Sequence, residues 1–165
     1  MRQAVGYVLF SCLLVLLQTT LVRYLAVGTV GPDILLIWLV YLAMREGQAT
    51  ATAAGFFLGL AVDLLSGSDS MIGLAALSKT VAGFTAGFFH DENKVLQNLG
   101  GFQYPLITAV VSLVHNILYF IVFLQGTDAG WLNAVTFYGA PATLYTTALT
   151  LIPMFVFARR LRTQL

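Results

Sequence analysis

Asp63, Lys79, His115 and Asn116 are polar side chains set inside long apolar stretches. Bilayer hydrocarbon is costly for such groups: a charge at its centre loses at least ~2.5–3.5 kcal/mol on insertion scales, so each needs a partner or water. Asp63 and Lys79 lie on consecutive apolar stretches joined by the polar string Ser66, Gly67, Ser68, Asp69 and Ser70. Counted from that turn, their Cα atoms differ in depth by ~7 Å at ~1.5 Å per residue, a gap the two side chains close together. The spacing predicts an intramembrane Asp63–Lys79 ion pair that locks helix packing rather than relaying protons. His115 and Asn116, mid-span, are expected to hydrogen-bond a neighbouring helix, as are Gln18 and the Thr and Tyr residues between Thr143 and Thr150. His115 has no second His, Cys or acid at metal-ligand spacing on its own helix. Cys12 has no neighbouring base to activate it, and His90 falls in a loop. No HExxH helix, GxSxG elbow or P-loop occurs. A non-enzymatic protein is expected, with no catalytic residue, metal or cofactor.

The charges continue two glycine stripes. Gly55, Gly59 and Asp63 recur every four residues, and so do Lys79, Gly83 and Gly87. Residues at that interval share one helix face. Glycine there lets backbones approach closely, which matters where lipid supplies no hydrophobic drive for helices to associate. A tight antiparallel hairpin follows.

The elements that must position these residues are membrane spans. The 165 residues are 59% hydrophobic and 9% charged, whereas soluble domains carry roughly 25% charged residues. That balance excludes a soluble enzyme, and the net charge of +1 offers no basic footprint for nucleic acid. A single Cys excludes an internal disulfide. The apolar runs are Ala4 to Val22, Ile34 to Met44, Gln48 to Leu65, Met71 to Phe89, Pro105 to Leu124 and Val135 to Phe157. The first is read as an uncleaved span, being longer than the ~7–15 residues of a signal core. The second, opened by Pro32 and Asp33, is short enough for a buried or re-entrant segment. Between the fourth and fifth runs, His90 to Leu99 is expected as a solvated loop, with a short interfacial helix as the alternative. Pro141 and Pro153 are expected to kink the last helix. Residues 1–165 thus form one all-α, polytopic membrane domain of six helices. Six crossings place Arg2, Arg45, Lys94, Arg159, Arg160 and Arg162 on one side and Arg23 alone on the other. By the positive-inside rule both termini, and the basic tail Arg159, Arg160 and Arg162, are cytoplasmic.

One block carries a family resemblance. Pro32, Asp33, Ile34, Leu35 and Leu36 open a short helix ending in Arg45, Glu46 and Gly47, and GFFLGLAVDLLSG follows, with Gly73, Leu74 and Ala75 beyond the turn. This resembles the rod shape-determining MreD family, in which a Pro-Asp-led apolar segment precedes a glycine-rich helix ending in Asp-Leu-Leu, here Asp63, Leu64 and Leu65. The matching block spans about Gly31 to Phe89; Asp69, Ser70 and Lys79 fall outside the family pattern. The resemblance implies a multi-pass protein of the bacterial inner membrane, a non-enzymatic scaffold of the cell-elongation complex. Implied partners are membrane lipid, an MreC-like bitopic protein and, indirectly, an MreB-like filament and RodA with its penicillin-binding transpeptidase. It also implies an architecture similar to the S components of energy-coupling-factor vitamin transporters, whose substrate-binding role is the alternative function. The AxxxA spacing that this alternative expects in the first helix fails, since Val8 stands four residues after Ala4.

Overall fold

The computed structural model describes residues 2–26, 28, 30–66, 71–128 and 130–162, and their side chains except those of residues 2–4, 23, 161 and 162. The turn residues Gly67, Ser68, Asp69 and Ser70 and the side chains of Arg2, Arg23 and Arg162 therefore lie outside the described residues. Among the described residues the regular structure is helical throughout: α1 (Arg2–Thr20), α2 (Val22–Leu25), α3 (Ile34–Glu46), α4 (Gln48–Leu65), α5 (Leu74–Gly87), α6 (Val95–Leu99), α7 (Gln103–Phe123), α8 (Trp131–Ala134) and α9 (Ala140–Arg162). Three stretches are long and apolar enough to cross a membrane: Gln48–Leu65, Gln103–Phe123 and Trp131–Arg160. Their outer faces expose large apolar side chains such as Phe57, Leu106, Leu144 and Phe155, a surface that water would not tolerate at this extent.

At the centre stands α3. Its 13 residues span ~20 Å at ~1.5 Å per residue, well short of a ~30 Å hydrocarbon core. Leu35, Leu39, Val40 and Ala43 are fully buried, as expected of a helix that is apolar on every side. Asp33 starts it, its Oδ1 accepting the N–H groups of Leu35 at 3.0 Å and Leu36 at 3.1 Å, an N-cap that satisfies two donors the helix itself leaves free. Gly47 ends it with φ +86° and donates its N–H to the Ala43 carbonyl. Only glycine takes that conformation without strain, so α4 follows after one residue.

The partner of α4 is shorter than the sequence pattern suggests. α5 begins at Leu74 rather than Met71, after Gly73 turns left-handed at φ +98°, and Met71 and Ile72 are exposed. The segment expected as a solvated loop contains α6, and its Leu99 is buried against the core. Val95 packs against the same core, so two apolar side chains of this turn are anchored. The last helix starts at Trp131 and runs through a π-helical turn, Val135–Gly139, into α9. That turn ends two residues before Pro141, whose ring would otherwise press on the carbonyl one turn earlier. Pro153 lies within α9.

Candidate functional site

The polar residues meet at the start of α3. Lys79, on the second turn of α5 and 3% exposed, donates its Nζ to Asp33 Oδ2. His115 of α7 places Nε2 at 3.8 Å from the same oxygen. Thr146 of α9 accepts the Asp33 backbone N–H at 3.0 Å. From α1, the Gln18 amide straddles the segment, donating Nε2 to the Pro32 carbonyl at 3.2 Å and accepting the Ile34 N–H at 3.0 Å. Four helices thus hold one helix start, and the Asp33 carboxylate is spent on a cation and two N–H groups.

This corrects the expected Asp63–Lys79 pair. Asp63, 4% exposed, turns instead to the first turn of α5: Oδ2 accepts the N–H groups of Gly73 and Ala76 at 3.0 Å each, and Oδ1 that of Ala75 at 3.1 Å. Those donors are the unsatisfied end of a helix dipole, a good place for a carboxylate. Lys79 lies a turn further along the same helix and finds Asp33. The sequence offered the two ingredients, a short apolar helix opened by an acid and a cation within an apolar run, with no spacing that relates them.

The glycine stripes face each other across α4 and α5. A Cβ added at Gly55 would collide with the Lys79 carbonyl, one at Gly59 with the backbone of Ala75 and Ala76, one at Gly83 with the Ala51 carbonyl, and one at Gly87 with Gln48. Leu64 and Leu65, in contrast, point outward and are exposed. Gly73 supplies the left-handed start of α5 and an N–H for Asp63.

A second polar set joins α7 to the last helix. Asn116 Nδ2 donates to the Gly139 carbonyl at 3.2 Å and to Thr143 Oγ1 at 3.0 Å. Ser112 Oγ stands 3.4 Å from Thr143 Oγ1. Gly139 closes the π turn, where the altered ladder offers its carbonyl to a side chain. The residues that sequence reasoning placed as general interhelical contacts, Gln18, Thr143 and Thr146, here have defined partners; Ser112 carried no signal beyond being polar in an apolar run.

Between these sets lies a cavity of about 380 Å³ lined by Gln18, Asp33, His115, Asn116, Tyr119 and Thr146, among others. Its size falls within the ~300–1,000 Å³ of small-molecule sites. His115 is 7% exposed and its Nδ1 is buried without a hydrogen-bond partner among the described residues. Among those residues no group of three His, Cys, Asp or Glu side chains is placed to hold a metal. Arg159 and Arg160 are exposed near the end of α9, while His90 braces the α3–α4 junction, its Nδ1 at 2.9 Å from the Met44 carbonyl. Fold and site together define an all-helical protein with membrane-length helices around a short central helix and a buried polar node. No family model, curated protein or solved structure matches the chain.

Proposed function

We propose that the chain is a non-enzymatic, multi-pass scaffold of the bacterial inner membrane, similar to the MreD family, that binds an MreC-like bitopic partner and helps direct peptidoglycan synthesis in cell elongation. In this reading the six apolar segments cross as six helices, short α3 and α5 included. Both termini and the basic tail are cytoplasmic, and the polar node sits towards the outer face. The observation that carries it is the use made of Asp33 and Asp63, the acids of the resembling block. Each fixes one helix start to other helices, which is what a rigid platform for partners requires. The test is affinity purification of the tagged protein from native membranes in mild detergent, with co-purifying proteins identified by mass spectrometry against an untagged control. An MreC-like bitopic protein with wall-synthesis enzymes is the expected result.

The cavity beside the node favours one second reading, a substrate-binding component of a small-molecule uptake transporter. Its polar lining and the unpartnered His115 Nδ1 suit a small polar ligand. In that case the same purification returns ATPases and a transmembrane coupling subunit, and the scaffold proposal fails.

A further inference from the structure

A different groove opens between α1 and α9. Among the described residues α1 and α9 both pack on α3, and their backbones do not come close to each other. The gap between them is a cavity of about 490 Å³, walled by Phe10 and Leu14 of α1 and by Ile152 and Phe157 of α9, and floored by Trp38 and Tyr41 of α3. The floor is held in place: Trp38 Nε1 donates to Ser11 Oγ at 2.9 Å, and Tyr41 stacks between Trp38 at 4.9 Å and Phe157 at 5.5 Å. Its lining is apolar except at one end, where Arg160 closes it.

Length and charge identify the occupant. Leu149 and Arg160 mark the two ends of the groove along α9, ~16 Å apart at ~1.5 Å per residue. One leaflet contributes half of a ~30 Å hydrocarbon core. The groove therefore matches the depth of a single leaflet, with its cation at the headgroup level. A partner helix crossing both leaflets would overrun it. A guanidinium presents a planar fork of donors that fits phosphate oxygens, and basic pockets between helices hold anionic headgroups in this way. We propose that the α1–α9 groove binds one anionic phospholipid, an acyl chain lying over Trp38 and Tyr41 and the phosphate meeting Arg160. This requires that the helices sit in a bilayer and does not depend on the scaffold reading.

The test is native mass spectrometry of the purified full-length chain after delipidation and addition of phosphatidylglycerol or phosphatidylcholine of identical acyl chains. The wild type should retain one phosphatidylglycerol with roughly fivefold preference, the contribution of one cation near an anionic headgroup. Arg160→Gln should abolish that preference, whereas Arg159→Gln, outside the groove lining, should keep it. Ile152→Trp, introduced at an exposed groove position, should lower retention of both lipids. Equal retention of the two lipids by the wild type, or an unchanged preference in Arg160→Gln, overturns the proposal. So does a lipid-free dimer, which would make a second copy the occupant.

Discussion

The α4–α5 hairpin and the node at Asp33 solve the same problem by opposite means. The hairpin brings two backbones together by removing side chains, so that Gly55, Gly59, Gly83 and Gly87 leave room for the other helix's main chain. At the node, polar side chains reach from α1, α5, α7 and α9 to a single helix start. Helices in lipid gain nothing from hiding apolar surface, since lipid tails are equally apolar; dispersion at close range and polar bonds remain. Here each means has its own region. Along its glycine faces the hairpin is limited by volume, whereas the node is limited by charge.

Adding volume to the hairpin should have the largest effect. Extra methylenes in a core that can shift around them cost about 1–3 kcal/mol; at Gly59 the obstacle is backbone that cannot swing aside, so the loss there goes beyond that range. Gly59→Leu is expected to yield little monodisperse protein on size-exclusion chromatography in detergent; a wild-type profile would break the contrast between the two regions. Next comes Lys79→Met, which leaves the part-buried Asp33 carboxylate without its cation, a loss at the lower end of the range of about 3–5 kcal/mol for a fully buried pair. Adding Asp33→Asn should restore much of the melting temperature, whereas adding Asp63→Asn should not. Rescue by Asp63→Asn instead would return Lys79 to the partner that spacing alone suggests.

Asp63→Ala removes a helix cap and should cost about 1–2 kcal/mol. Amide hydrogen exchange checks it, with faster exchange confined to Gly73, Ala75 and Ala76; uniform acceleration across α5 and α7 would mean that Asp63 belongs to the node after all. Asn116→Leu is the mildest change, about 0.6–1.7 kcal/mol for an interhelical hydrogen bond in a membrane protein. Its expected signature is a small drop in melting temperature that adds to that of Asp63→Ala, because the two sites share no partner.

The hairpin was legible because its information is local. A repeat of four, a short polar turn and two neighbouring stretches specify which faces meet; what they misplaced were the ends of α5, which runs Leu74–Gly87, and the partner of each charge, Asp63 taking the first turn of α5 and Lys79 taking Asp33. The node was not legible in the same way. Its members, Gln18, Asp33, Lys79, His115 and Thr146, lie on five separate segments, and no spacing along the chain relates them. Asp33 was recognised as a helix-starting residue and as part of a family-like block, yet not as the counter-ion. Leu99 shows the same limit on a smaller scale, since its burial depends on where α3 and α9 leave a space.

Composition and period by themselves determined the all-helical class, the membrane-length apolar stretches, the glycine faces of α4 and α5 and the need for a partner at Lys79. Each of these follows from the solvent and from helix geometry, which act on every residue locally. Which acid meets Lys79, what Asp63 does instead, and where the polar cavity and the apolar groove open were decided by tertiary structure. The physical reason is that a short central helix buries its own start, and only the packed bundle fixes which side chains can reach it.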